Sequence, residues 1–161
     1  TTDDTIDEIA ENFSVIISAP TNATLADATG VATLNDNDAT PTLSINDVTV
    51  TEGGSATFTV TLSAVSGLNA TFDWATSNDS AVSGADYTAT SATTVTIPAG
   101  STSTTFNINT IDDTLDEPSE TFNVVLSNPG NSSISDATGV TTITDNDSVP
   151  SITVTDITVT E

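Results

Sequence analysis

Residues 104–129 read TTFNINTIDDTLDEPSETFNVVLSNP, two alternating apolar patterns on either side of an acidic loop. Phe106 and Ile108 alternate with polar residues, and so do Phe122, Val124 and Leu126. An apolar residue at every second position is typical of a strand with one buried face. The stretch therefore predicts two antiparallel strands joined by a loop that carries five carboxylates.

The acidic loop and the strand after it occur twice in the chain. Residues 1–52 align with residues 110–161 without insertion or deletion, 109 positions apart, so that TTDDTIDEIAENF corresponds to TIDDTLDEPSETF. A period of this length is a whole domain rather than one turn of a solenoid. We therefore divide the chain into the last part of one repeat (1–38), one complete repeat (39–147) and the first strand of the next (148–161).

The rest of the complete repeat has the same two-residue period. Turn sequences such as Glu52-Gly53-Gly54 and Asn128-Pro129-Gly130 separate the alternating segments. Strands are expected at 42–52, 55–63, 70–77, 93–97, 102–111, 119–127 and 138–145. Seven strands in one period predict an all-β protein, an immunoglobulin-like antiparallel β-sandwich repeated in tandem. Its core is expected around Phe58, Phe72, Trp74, Phe106 and Phe122.

The linkers between repeats are short and contain proline. Residues 39–41 and 148–150 each place a proline, Pro41 or Pro150, just before a strand. Short linkers with proline are stiffer than Gly/Ser linkers. The repeats are therefore expected to form a stiff rod.

The composition excludes several classes of function. The 161 residues contain no Lys, Arg, His, Cys or Met, and 23 Asp and Glu give a net charge of −23. Binding to nucleic acid or to an anionic membrane surface needs basic residues, so neither partner is expected. Disulfides are excluded, and this window is expected to contain neither a signal peptide nor a segment that inserts into a membrane.

The acids are concentrated at strand ends. Nine of the thirteen Asp and Glu in 39–147 fall into four clusters. These are Glu52; Asp86; Asp112, Asp113, Asp116, Glu117 and Glu120; and Asp145 and Asp147. If the first strand runs parallel beside the last, Glu52 and residues 145–147 end at the same pole, with the loop 112–120 facing them.

Such a pole requires cations. Two like charges about 4 Å apart repel by roughly 4 kcal/mol at an effective dielectric near 20. Oxygen ligands without His or Cys favour hard cations, and shared carboxylates favour Ca²⁺ over Mg²⁺. The loop does not fit the EF-hand pattern, because Glu117 stands where that loop requires Gly.

The complete repeat resembles the Calx-beta domain, a calcium-binding β-sandwich found in sodium–calcium exchangers and in long bacterial surface proteins. The matching motifs are VTVTEGG at 48–54, SGADYTA at 83–89, residues 97–129, and TITDND at 142–147. The resemblance spans nearly all of 39–147, and residues 1–38 carry the same closing motifs. It implies the same fold and several Ca²⁺ ions in each repeat.

The resemblance also implies a set of ligands. In the complete repeat they are Glu52, Asp86, Asp112, Asp113, Glu117, Glu120, Asp145 and Asp147. In the leading half-repeat they are Asp3, Asp4, Glu8, Glu11, Asp36 and Asp38. Asn146 replaces the middle acid of the family's terminal triplet, and the missing partners of the half-site would lie before residue 1. Asp116 has no ligand counterpart, so a solvated loop position is expected for it; Asp27, Asp47 and Asp136 are interpreted as turn residues.

These features predict a calcium-stiffened tandem repeat of an extracellular or cell-surface protein, such as an adhesin stalk, a biofilm-matrix protein or a filament. Its partners are expected to be neighbouring repeats and other copies in a fibre. A regulatory calcium sensor and a filament joined by strand complementation are alternatives. Catalysis is not expected, because no basic residue or thiol is present to tune the paired carboxylates.

Overall fold

The computed structural model describes residues 2–161, and its regular structure in that range consists of strands. The strands are β1 (Glu11–Ile16), β2 (Thr29–Leu34), β3 (Thr42–Ile45), β4 (Val48–Thr51), β5 (Ser55–Leu62), β6 (Ala70–Asn78), β7 (Thr93–Ile97), β8 (Ser103–Asn109), β9 (Glu120–Gly130), β10 (Ser133–Ile134) and β11 (Thr138–Thr144). Among the described residues there is no helix of the length and apolarity needed to cross a membrane.

The complete repeat is a sandwich of two sheets, which confirms the predicted fold class. One sheet has the order β10-β3-β5-β8, and the other has the order β4-β11-β9-β6-β7. Pairing is antiparallel except between β3 and β10 and between β4 and β11, which run parallel. The short outer strand β10 was not expected from the sequence.

The core lies between the two sheets, where the alternating apolar residues meet. Phe58, Phe72 and Phe122 are fully buried, and Phe106 is half-buried against them. Trp74 of β6 stacks on Phe106 of β8 with ring centroids 4.0 Å apart. This stack joins the sheets directly, so the aromatic residues have the packing role expected for them.

The single first strand predicted over 42–52 is two strands in different sheets. The chain crosses at Asn46 and Asp47, whose side chains take over hydrogen bonds that a continuous strand would make with its backbone. Asn46 Oδ1 accepts from the Thr59 backbone N–H at 2.6 Å, and Asp47 Oδ1 accepts from that of Val140 at 2.8 Å. The crossing brings β4 beside the last strand, β11.

The leading half-repeat reproduces part of this fold. Strands β1 and β2 pair in the register of β9 and β11, because Phe13 faces Ala32 as Phe122 faces Thr141. Phe13 is exposed, whereas its counterpart Phe122 is fully buried. Residues 151–161 form no strand here and are exposed. The division into repeats stays a prediction.

Candidate metal centre

The acidic pole is created by the parallel pair β4 and β11. Thr144 lies opposite Thr51 in this pair, and the Glu52 backbone N–H donates to the Thr144 carbonyl at 3.0 Å. Both strands therefore end together, and Glu52 emerges beside residues 145–147 as expected from the sequence.

Glu52, Asp145 and Asp147 form the first carboxylate cluster. One oxygen from each lies within 4.8 Å of the others. Asn146 joins the cluster to the neighbouring loop: its backbone N–H donates to Glu52 Oε1 at 3.2 Å, and its Nδ2 donates to Asp112 Oδ1 at 3.0 Å. This bridging role was missed from the sequence, in which Asn146 was only a substitute for an acid. An acid at position 146 would repel Asp112, whereas the amide of Asn146 donates a hydrogen bond to it.

Asp86, Glu117 and Glu120 form the second cluster, again with one oxygen each within 4.8 Å of the others. The Val82 backbone N–H donates to Asp86 Oδ2 at 2.6 Å and fixes the carboxylate. The next residue, Tyr87, is buried and stacks on Phe122 with centroids 4.0 Å apart. The Gly-x-Asp-Tyr turn is therefore anchored in the core by its tyrosine, which holds Asp86 at the pole.

The two clusters border one small cavity of about 10 Å³. Its acidic lining is Glu52, Asp86, Asp113, Glu117, Glu120 and Asp145. Asp113 is oriented by the Leu115 backbone N–H, which donates to its Oδ1 at 2.7 Å. Asp147 belongs to the first cluster and Asp112 accepts a hydrogen bond from Asn146, so all eight acids named from the sequence lie at this pole.

The charges at the pole disfavour one another. Burial, followed by the charges of Asp113, Asp86 and Asp145, raises the pKa of Glu117. Burial and the Asp86 carboxylate likewise raise the pKa of Glu120. The hydrogen bond from Asn146 lowers the pKa of Glu52, but desolvation and the charges of Asp145 and Asp147 outweigh it, so that this pKa is raised as well. The shifts indicate a site that lacks positive charge.

Two buried oxygens test whether a cation fits. Asp145 Oδ1 and Asp147 Oδ2 are buried, and neither has a hydrogen-bond partner among the described residues. A buried carboxylate oxygen without a donor is costly, whereas metal coordination satisfies it. The donor set at the pole consists of oxygens, which suits a hard divalent cation.

The leading half-repeat carries an incomplete version of this centre. All six acids named for it line an open cavity of about 430 Å³. These are Asp3, Asp4, Glu8, Glu11, Asp36 and Asp38. Burial, followed by the charge of Asp4, raises the pKa of Glu8, and burial with the charge of Asp36 does so for Asp38. In both copies the acids of the loop therefore lie together with the acids that follow the last strand.

The family follows from comparison with known domains. The model of the Calx-beta domain family matches residues 1–40 and residues 35–149, which is most of the chain. The chain belongs to the Calx-beta domain family. No curated protein matches it.

Solved structures share the Calx-beta fold with this chain. The apo-form Calx CBD1 domain is 20% identical with a TM-score of 0.59, over 66% of this chain and 99% of that one. The CBD12 structure from CALX1.2 is 24% identical with a TM-score of 0.61, over 65% and 45%. The calcium binding domain CBD12 of CALX1.1 is 21% identical with a TM-score of 0.60, over 65% and 46%. The chain thus spans less than half of each CBD12 structure.

The acids interpreted as turn residues accept hydrogen bonds from the backbone. Asp136 Oδ1 accepts from the Thr138 backbone N–H, and Asp27 Oδ1 accepts from that of Thr29. Asp47 holds the strand crossing described above. Asp116 is exposed, as expected.

Proposed function

We propose that this Calx-beta chain is a calcium-binding structural segment of a long extracellular rod or fibre. The observation that carries the proposal is the pair of buried, unpartnered oxygens of Asp145 and Asp147 at a pole where eight carboxylates meet. Divalent cations would satisfy these oxygens and neutralise the repulsion that raises the pKa values of Glu52, Glu117 and Glu120.

Calcium fits this donor set better than magnesium. Ca²⁺ accepts about six to eight oxygens in irregular geometry, whereas Mg²⁺ requires a nearly regular octahedron and retains water. The Glu52 cluster and the Asp86 cluster border one cavity, so carboxylates can be shared between ions. The bound ion supplies positive charge, and the protein supplies oriented oxygens.

The mechanical role is supported by the position of the first cluster. Asp147 immediately precedes the linker 148–150, so an ion held by Asp145 and Asp147 would restrain the start of the next repeat. The proposed partners are neighbouring repeats and other copies in a fibre. The role is non-catalytic and extracellular, and the absence of Lys and Arg, which leaves trypsin-like proteases no cleavage site, suits such exposure.

Calorimetric titration of the full chain tests calcium binding. We expect a saturable binding heat on adding Ca²⁺, and Glu52→Gln should reduce the number of ions bound while the half-site still binds. Asp136→Asn is the matched control, since it removes one carboxylate from a turn outside the pole. Absence of Ca²⁺ binding, or equal loss in both variants, would contradict the proposal.

A regulatory calcium sensor is the second candidate, because the CBD12 structure of CALX1.1, named as a calcium binding domain, shares the fold. The same titration separates the two functions. Sensors bind with dissociation constants of about 10⁻⁷ to 10⁻⁵ M, whereas extracellular modules bind at about 10⁻⁴ to 10⁻³ M. We expect the weaker range; a dissociation constant near 10⁻⁶ M would favour the sensor.

A further inference from the structure

The leading half-repeat contacts the complete repeat through one buried acid. Asp7 is 9% exposed and lies in a parallel bridge with Ser66, which is 1% exposed. The Gly67 backbone N–H donates to the Asp7 carbonyl at 3.0 Å. Ser66 Oγ lies 3.3 Å from both the Asp7 carbonyl and Asp7 Oδ2, so its hydroxyl can donate to either. The loop of one repeat thus binds the Ser-Gly turn of the next.

The turn suits this contact because it has little bulk. Gly67 lies directly against the loop: a Cβ atom there would be 3.0 Å from Glu8 Cγ and 3.4 Å from the Asp7 carbonyl oxygen. Ser66 Oγ also accepts from the Leu68 backbone N–H at 3.0 Å, which orients the hydroxyl. The turn therefore presents an N–H and an O–H in fixed positions to an acidic loop.

Asp116 is the counterpart of Asp7, 109 positions along the chain. The two loops, TIDE at 5–8 and TLDE at 114–117, share their internal hydrogen bond: Ile6 N–H donates to Asp4 Oδ1 at 2.9 Å, and Leu115 N–H to Asp113 Oδ1 at 2.7 Å. Their environments differ, since Asp116 is exposed where Asp7 is buried.

We propose that residues 114–117 form a docking surface for the Ser-Gly turn of a following copy of this repeat, with Asp116 as the accepting residue. The neighbouring Leu115, which is 61% exposed, lies on the same surface. The proposal rests on the tandem arrangement in the proposed function, but not on calcium. The two repeats belong to one chain, so docking is intramolecular. The short linker 148–150 keeps the turn close to the loop, and a few hydrogen bonds therefore suffice to hold it.

One contact does not recur. Thr40 Oγ1 donates to Asp7 Oδ1 at 3.4 Å, and the position equivalent to Thr40 is Val149. The second joint therefore depends on the turn alone. Asp116 should consequently be more important at its joint than Asp7 is at the first.

The test uses the full chain extended after Glu161 by a second copy of residues 53–147, which completes the following repeat. The chain has no cysteine, so spin labels can be placed on cysteines introduced at exposed strand positions. Labels at Thr57 and at its copy report the second joint; labels at Ser14 and Thr57 report the first. Both distances are measured by pulsed electron paramagnetic resonance in calcium.

We expect both joints to give narrow distance distributions. Asp116→Ala removes the carboxylate but keeps the backbone carbonyl, so it should broaden the peak of the second joint only, and Asp7→Ala that of the first only; each variant therefore controls for the other. Ser66→Ala in the added copy should repeat the Asp116→Ala result, and the circular dichroism of all variants should match the parent. A narrow second distance in Asp116→Ala, or a broad one in the parent, would overturn the proposal.

Calcium titration of the same variants separates this inference from the proposed function. Asp116 is not among the candidate ligands, so Asp116→Ala should bind Ca²⁺ as the parent does. An extended chain that binds no Ca²⁺ but keeps the two narrow peaks refutes calcium binding and supports the joint. Loss of Ca²⁺ binding in Asp116→Ala would identify the residue as a ligand and overturn its docking role.

Discussion

At the scale of single residues, the carboxylates at the acidic pole repel one another. Glu117 and Glu120 have raised pKa values because burial and nearby carboxylates disfavour their charged forms. The pKa of Glu52 is raised by desolvation and by the charges of Asp145 and Asp147, despite the hydrogen bond from Asn146. A group with a raised folded-state pKa binds its proton more tightly in the folded protein than in the unfolded chain, and this difference makes stability depend on pH.

Stability of the metal-free protein should fall as pH rises. The folded state binds more protons than the unfolded state above the ordinary glutamate pKa of 4.5, so the free energy of unfolding falls from there through the raised folded pKa values. Hydrogen bonds from Thr94 and Asn128 lower the pKa of Asp73, so this group changes the stability only below its ordinary pKa of 3.8. It therefore does not cancel the effect of the raised groups above pH 4.5. Calorimetric melting of desalted, metal-free protein at pH 4.5 and 7.5 should give the higher Tm at the lower pH.

Two variants locate the effect. Glu120→Gln removes one of the raised groups and should reduce the difference in Tm, whereas Asp136→Asn should leave it unchanged. A Tm that rises steadily from pH 4.5 to 7.5 in the metal-free protein would contradict the assigned repulsion.

Residue roles were predictable where the residues belong to a recognisable motif. Glu52 could be named from VTVTEGG and Asp86 from SGADYTA, and both lie at the pole. The roles of Asn146 and Asp7 could not be, because they depend on donors from elsewhere in the fold: Asn146 donates to Glu52 and Asp112, and Asp7 accepts from Ser66. Periodicity places side chains on a face, but it does not identify their partners.

At the scale of elements, the turn after β4 positions the acidic loop. Gly53 has a φ of 72°, and a Cβ atom there would lie 2.9 Å from Asp112 Cβ. Gly100 has a similar φ of 81° but nothing within 4 Å of its Cβ position. A side chain would strain the backbone at both glycines, but it would collide with the acidic loop only at Gly53. Comparing substitutions at the two positions therefore distinguishes these two costs.

Gly53→Ala should cost more than Gly100→Ala and should also weaken Ca²⁺ binding. Both changes place an L-residue in the left-handed region, which costs roughly 1–2 kcal/mol. Gly53→Ala also displaces Asp112, which adds about 1–3 kcal/mol by analogy with overpacked sites. Urea unfolding and calcium titration of both variants measure this. Equal stabilities, or unaltered Ca²⁺ affinity in Gly53→Ala, would show that the contact with Asp112 is unimportant.

Elements themselves were predictable from their two-residue period, but the crossing at Asn46 and Asp47 was not. The sequence TLSINDVTVT alternates on both sides of these residues and carries no strong break. Only the sheet partners differ: Leu43 faces Leu62 in one sheet, and Val50 faces Ile143 in the other. This crossing is what sets β4 parallel to β11 and delivers Glu52 to the pole.

At the scale of the whole molecule, the net charge of −23 and the acidic pole are separate problems. Acids outside the clusters, such as Asp27, Asp79 and Asp136, are exposed, and monovalent salt screens their charges over a Debye length of about 8 Å at 0.15 M. The carboxylates of each cluster lie within 4.8 Å of one another, partly out of solvent. At that distance a diffuse ion atmosphere screens the repulsion between carboxylates poorly, whereas a coordinated divalent ion neutralises the carboxylates that bind it.

Calcium should therefore stabilise the protein beyond anything that salt achieves. In chelator, raising NaCl from about 0.15 M to 1 M, where the Debye length is about 3 Å, should raise Tm only modestly. Adding millimolar Ca²⁺ at 0.15 M NaCl should raise it further, and Glu52→Gln should lose part of the calcium increment while keeping the salt increment. Differential scanning calorimetry measures both. If 1 M NaCl with chelator matched the effect of Ca²⁺, bulk charge rather than a coordinated site would account for the stabilisation, and the pole would have no specific metal.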